Sequence, residues 1–370
     1  MHPWAVDGVI PFNLLMACVD AAGLYYVYRS RTAAAWWKAG IFATAASFLL
    51  VSLFTFGPWF LFRMYPAGYR HFAVIRLVTY VIFLHGTICT VGGAWLLRKA
   101  ATKTAVLSAL ATLGLILMAI DAFWIEPFWL EVTHLRIESA KLDRPLRVAV
   151  VADYQAEEAG AYERSVLERL RAERPDLILL AGDYLHPEPE RAREAFAQTS
   201  ALFKEIGLDA PEGVFAVEGN VDRMCPWRSL FAGLPVVALG PTHTFTVGPL
   251  DLTCLSMRDS FNHDLRIARK NPDRFHLVLG HSPDFARGKI DADLLVAGHT
   301  HGGQVRLPWI GALSSGCTVP RAWAAGVTKL PSGAKLLVSR GIGMERGDAP
   351  RLRFLCRPQL ILIDLVPKER

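Results

Sequence analysis

Four long apolar runs occupy the first third of this chain, at residues 9–28, 39–62, 77–97 and 104–125. Each is close to the ~20 residues that cross a hydrocarbon core of about 30 Å. In lipid, backbone amides and carbonyls have no water to bond, so a single segment crosses only as a helix. That restricts residues 1–126 to an all-α region of four transmembrane helices. Trp36, Trp37, Trp59, Trp95 and Trp124 stand at or near the ends of the runs, where interfacial aromatics gather. The first run has neither a basic leading region nor a small-residue cleavage site, and it reads as a span rather than a cleaved signal.

Charge supplies an orientation. Nine Lys/Arg and four Asp/Glu precede Pro127, against 31 and 30 in the remainder, so +5 of the chain's net +6 belongs to the membrane-flanking part. It is no argument for nucleic acid, and no nucleic-acid partner is expected. Arg29, Arg31 and Lys38 mark the first loop and Arg98, Lys99 and Lys103 the third, while no Lys or Arg precedes Val9. The positive-inside rule puts these loops in the cytoplasm and everything after Pro127 on the outer side, although Arg63, Arg70 and Arg76 in the second loop pull the other way. Asp20, His85 and Asp121 lie within or near the ends of spans, where ionisable groups are costly and mark function by default. The plainer reading has Asp20 bonding across the bundle and Asp121 at the interface, with no array that suggests a transport path. The six cysteines show no paired or CxxC spacing, which argues against a disulfide framework or zinc knuckle.

After a connector at residues 127–144, residues 145–370 change to short apolar strands separated by polar helical stretches, the rhythm of an α/β domain. Strands are expected at 147–152, 176–181, 213–217, 236–239, 245–247, 250–256, 275–279, 294–297, 335–339 and 360–365, and helices at 161–172 and 192–205. The polar residues fall at telling places. Asp153 follows LRVAVVA, Asp183 follows DLILLAG, Asn220 follows GVFAVEG, His281 follows FHLVLG and His299 follows ADLLVAG. Five strands therefore each end in a residue able to bind metal, and strand ends in such sheets gather at one edge, where ligands bind. His299-Thr300-His301 adds two imidazoles one residue apart before Gly302 and Gly303, a spacing that suits first-row divalent ions.

These residues resemble the calcineurin-like metallophosphoesterases, and within them the bacterial membrane-attached members carrying a GHTHGGQ segment. The family pattern appears here as Asp153-Tyr154-Gln155, Gly182-Asp183, Gly219-Asn220-Val221-Asp222, Gly280-His281 and Gly298-His299-Thr300-His301, with VSRGIG at 338–343. The resemblance covers about residues 147–365. It implies a four-layer αββα sandwich with two divalent ions, Mn first and Fe, Zn, Co or Mg as alternatives. By the same resemblance Asp153, Gln155 and His301 hold the first ion and Asn220, His281 and His299 the second, with Asp183 bridging both. Asp183, Asn220 and Asp222 are the catalytic candidates, and a metal-activated water cleaves a phosphoester or pyrophosphate bond, with tethering making lipid-linked substrates attractive.

Two positions depart from that pattern. Gln155 stands where the family has a first-ion histidine, and an amide oxygen binds softer ions less well than imidazole, which tilts the site toward Mn or Mg. Val221 stands where the family has the histidine that protonates the leaving oxygen, a contribution typically of 10²- to 10⁴-fold. His186 is the nearest replacement acid. Arg258, Asp259, His263 and Arg340 are candidates for a substrate cleft or for plain surface, and Asp284 for fixing a turn. Two other classes compete with the enzyme: a catalytically impaired metal-binding scaffold or sensor, and a transporter dependent on Asp20 or Asp121.

Overall fold

The computed structural model describes residues 3–62, 67–345 and 349–368, and Arg63 of the second loop lies outside them. The chain divides into two compact units. In the first, helices run over Pro3–Ser30, Ala33–Phe62, Ala67–Thr79 and Gly86–Leu97, the last two joined by a π-helical turn at Tyr80–His85, and then over Thr102–Ile120. Four stretches are long and apolar enough to cross a membrane: Gly8–Ser30, Ala33–Phe56, Ala73–Leu97 and Thr102–Phe128. Large side chains such as Ile41, Phe48 and Leu49 face outward, as a surface facing lipid requires. Small residues make the close contacts inside: a Cβ on Gly93 would stand 2.5 Å from the Trp36 ring.

The wider π turn delivers His85 to the interior of this bundle. Its Nδ1 lies 2.7 Å from Asp20 Oδ2 and its Nε2 lies 2.9 Å from Asn13 Oδ1, while Cys89 Sγ donates to Asp20 Oδ1 at 3.2 Å. Asp20 is thus the acceptor that satisfies two partners on another span. Its replacement by Leu leaves both partners in an apolar interior, and about 1 kcal/mol of resistance to unfolding is expected to be lost. Unfolding of the detergent-solubilised protein in SDS measures this, and a curve identical to wild type would show that the cluster adds nothing.

The second unit comprises Glu126–Glu345 and Leu352–Arg370. It contains two six-stranded sheets. The first has the order Glu131–Ser139, Gln359–Pro367, Leu146–Val151, Leu177–Leu180, Val214–Ala216, Val236–Ala238; the second has Gly326–Lys329, Lys335–Val338, Leu294–Ala297, Phe275–Leu279, Leu250–Cys254, His243–Val247. Val148, Val150, Leu177 and Leu179 of one and Leu252, Leu277, Leu279 and Val296 of the other share one buried core between the sheets. Helices Ala161–Ala172 and Ala192–Ile206 cover the outer face of the first sheet through Val166, Leu170, Leu202 and Phe203. The opposite outer layer is thinner, built on short turns such as Pro283–Arg287, with Phe285 packed under Leu255 and Val278. The result is an α/β sandwich of two mixed sheets with helical layers outside.

One boundary needs correcting. Within the expected connector at 127–144, residues Glu131–Ser139 form an edge strand paired in parallel with Gln359–Pro367, from Glu131↔Gln359 to Ser139↔Pro367. Its polar members hide the pattern because an edge strand is only partly covered and needs no continuous apolar run.

Candidate metal centre

Leu146–Val151, Leu177–Leu180 and Val214–Ala216 run parallel in the first sheet, as do Phe275–Leu279 and Leu294–Ala297 in the second. Their carboxyl ends emerge at one edge of each sheet and carry Asp153, Asp183, Asn220, His281 and His299. The backbone turns hard just beyond. Asp153, Gln155, Asp183, His299, His301 and Gln304 all hold left-handed φ between 40° and 68°. Each such non-glycine residue costs of order 1–3 kcal/mol, and strain of this kind collects at functional sites. The glycines in the motif have a steric reason: a Cβ on Gly219 would lie 2.0 Å from Asp183 Oδ1, and one on Gly298 would lie 2.9 Å from Asp153 Oδ2.

Asp183, His281 and His299 offer one donor atom each, all within 4.8 Å of one another. The Nδ1–H of His281 donates to the Ala181 carbonyl at 2.8 Å, which leaves Nε2 facing Asn220 Oδ1 at 3.0 Å and Asp183 Oδ2 at 3.3 Å. A backbone partner that fixes the tautomer in this way is usual behind a metal-binding imidazole. Asp153 accepts the His299 amide at 2.8 and 2.9 Å, and Asp183 Oδ1 accepts that of Val221 at 2.9 Å. Among the described residues, Gln155 Oε1 and both ring nitrogens of His301 are buried without a hydrogen-bond partner. Native interiors rarely leave such atoms unpaired, and carboxylate, imidazole and amide oxygens together are a donor set for a divalent cation. The structure therefore gathers Asp153, Gln155, Asp183, Asn220, His281, His299 and His301 at this edge.

Asp222 belongs elsewhere than among groups that touch substrate. Fully buried, it accepts the amides of Asp183, Tyr184 and Gly219, each at 2.8 Å, so both oxygens are committed to holding the Asp183 turn. It is a positioning residue.

Electrostatics divide the groups. Burial opposes charge on Asp183, but the His281 and His299 imidazoles and the Val221 amide outweigh it and hold the carboxyl well below the usual range. Burial pushes Asp153 up to about 7, with the Asp183 charge adding to the rise. Desolvation lowers His281, yet Asp183 and Asp153 carry it up to about 10. His299 is brought down to about 3 by burial and the neighbouring His281. At pH 7 His281 thus carries a proton that a cation must displace. Mn²⁺ affinity at the site that includes His281 is expected to rise about tenfold per pH unit between pH 7.5 and 9, since that ion displaces one proton there, and to flatten above about 10. Binding isotherms at three pH values check this, and affinity independent of pH would contradict it.

The weaker candidates have partners outside the donor set. Asp259 bonds Thr242, His263 pairs with Asp264 at 3.4 Å, Arg340 pairs with Glu131 at 2.6 Å, and Asp284 holds the Thr318 amide at 2.9 Å. His186 Nδ1 lies 3.9 Å from Glu345. Three contributors escaped the sequence reading. Phe261 packs against the His299 ring at 5.0 Å and the His281 ring at 6.1 Å. Arg353, wholly buried, donates to the carbonyls of Cys356 and Arg340 at 2.9 Å and of Gly343, pinning the loop beside Asp153. Glu345 lies 3.8 Å from His301. None has a local signature, because each acts through a partner distant in the chain.

Two packed sheets with carboxylate, amide and imidazole donors at their shared edge define an α/β sandwich with a candidate divalent-cation site. Residues 146–303 match the sequence profile described as calcineurin-like phosphoesterase. Similar proteins include the "uncharacterized metallophosphoesterase YkuE" of Bacillus subtilis, 28% identical over 219 residues, 55% of this chain and 72% of that one. Another is the "phosphodiesterase YaeI" of Escherichia coli, 29% identical over 211 residues, 52% of this chain and 72% of that one. These likenesses support a phosphoesterase hydrolase that uses divalent metal ions.

Proposed function

We propose that this protein is a membrane-anchored phosphoesterase whose hydrolytic domain lies on the outer side of a cell membrane and cleaves a phosphodiester or pyrophosphate, with a lipid-linked substrate the best fit to the tether. The carrying observation is the convergence of Asp183, His281 and His299 within 4.8 Å beside the buried unpaired atoms of Gln155 and His301. Asp153, Gln155, Asp183 and His301 would hold one cation and Asp183, Asn220, His281 and His299 the other. Bound divalent ions, Mn before Fe, Zn, Co or Mg, would supply positive charge to the phosphoryl oxygens and lower the pKa of an attacking water. The chain's residues do the rest. Asp222 and the Val221 amide fix the Asp183 carboxylate, the Ala181 carbonyl fixes the His281 tautomer, and Phe261 walls two imidazoles on one side.

Val221 has no proton to give, so a leaving group that departs as a stable anion is favoured. The name of the Escherichia coli relative supports a diester. Apolar helices and the basic first and third loops support the anchor and its orientation. The test is a panel of bis-p-nitrophenyl phosphate, p-nitrophenyl phosphate and a prenyl-linked pyrophosphate, offered to the purified full chain with each metal, alongside a sidedness reporter fused after Arg370. Metal bound without hydrolysis of any of them would favour the scaffold reading, and a cytoplasmic reporter would reverse the orientation.

A further inference from the structure

Gln155 leaves the first cation short of one strong donor, and a nearby carboxylate answers to that need. Glu345 Oε2 stands 3.8 Å from His301 Nε2. That is too far for a hydrogen bond. It is the separation of two atoms sharing one ion, since donors each bound at about 2.1 Å stand roughly 3 to 4 Å apart. The imidazole is 4% exposed and neither nitrogen has a hydrogen-bond partner, so its ring is held ready for a ligand rather than for the carboxylate itself.

Glu345 is no loose surface acid. Its amide donates to Gln304 Oε1 at 2.6 Å, Gly343 N donates to the Asp153 carbonyl at 2.7 Å, and Ile342 N to the Ala152 carbonyl at 2.9 Å. Arg353 holds the same loop by the carbonyls of Arg340 and Gly343. The loop abuts the departing residue: a Cβ on Gly343 would lie 2.9 Å from Gln155 Cβ. We infer that Glu345 is a ligand of the first cation, supplying from the 340–345 loop the strong donor that Gln155 does not. The site then draws on Asp153, Asp183 and Glu345 carboxylates, the Gln155 amide and one imidazole, an oxygen-rich set that selects Mn²⁺ or Mg²⁺ over Zn²⁺.

This rests on the metal-dependent reading above, and its test reads binding rather than turnover. Mn²⁺ is titrated into the full chain in detergent, with free ion followed by electron paramagnetic resonance. Wild type is expected to bind two ions, and Glu345→Ala to weaken one of them by at least tenfold while leaving the other unchanged. Adding Gln155→His to Glu345→Ala is expected to restore the lost affinity, because the imidazole refills the same place. Superimposable isotherms for wild type and Glu345→Ala overturn the inference, as does a failure of the double variant to recover. Should Glu345→Ala fold poorly, Glu345→Asp and the Mn²⁺-induced rise in melting temperature give the same reading: an unaltered rise counts against the role. Two intact Mn²⁺ sites without hydrolysis would sink the phosphoesterase proposal alone and leave Glu345 as a ligand.

Discussion

Replacing Asp183 with Asn is expected to lower hydrolysis of bis-p-nitrophenyl phosphate by on the order of 10³-fold or more while the protein still folds. The size of the effect follows from where the carboxylate lies. One oxygen accepts the Val221 amide at 2.9 Å, and the other faces His281 at 3.3 Å and Gln155 at 3.5 Å. Asn keeps an acceptor for the amide and nearly the same volume, so the turn held by Asp222 survives. What disappears is the negative charge that every neighbouring group is arranged around. His281, carried up to about 10 chiefly by this carboxylate, then loses the charge that ties its ring into the cluster. Initial rates with Mn²⁺, together with melting temperatures, check the prediction. Equal rates in mutant and wild type would remove the enzyme reading.

The same residue shows why so much of the site is legible in sequence. Parallel strands buried on both faces must be apolar throughout, so the first polar residue after LILLAG or LLVAG is also the first that emerges at the sheet edge. Position and chemistry are thus encoded together at Asp153, Asp183, Asn220, His281 and His299. Where burial is one-sided the code weakens. Glu131–Ser139 and Gly326–Lys329 are edge strands with alternating exposure, and neither stands out from loop. Glu345, Phe261 and Arg353 are harder still, because a glutamate in a loop and an arginine in a polar stretch look alike whether they meet solvent or a buried carbonyl. Asp222 marks a subtler limit. Its place in the motif is plain, but whether it meets substrate or backbone depends on three amides, two of them about forty residues upstream.

Val221 gives the second large prediction. Its amide serves Asp183, and its side chain, only partly covered, begins one residue before the short turn Asp222–Met224. A histidine there would set an imidazole beside the Asp183 carboxylate without disturbing that amide. For a substrate whose leaving group is an alkoxide, Val221→His is expected to raise kcat by about 10²-fold, the low end of what a positioned acid contributes. For p-nitrophenolate, already stable as an anion, the change should stay within about twofold, since protonation gives that departure little help. The contrast between the two substrates is the measurement that matters. A more acidic general rise, equal for both, would mean that histidine had altered cation binding instead, and Mn²⁺ isotherms on the same variant separate the cases. A new loss of rate toward high pH, seen only with the alkoxide ester, would identify the imidazolium as the donor. If neither substrate responds, the missing proton does not limit this site, and some other group near Asp183 already delivers it.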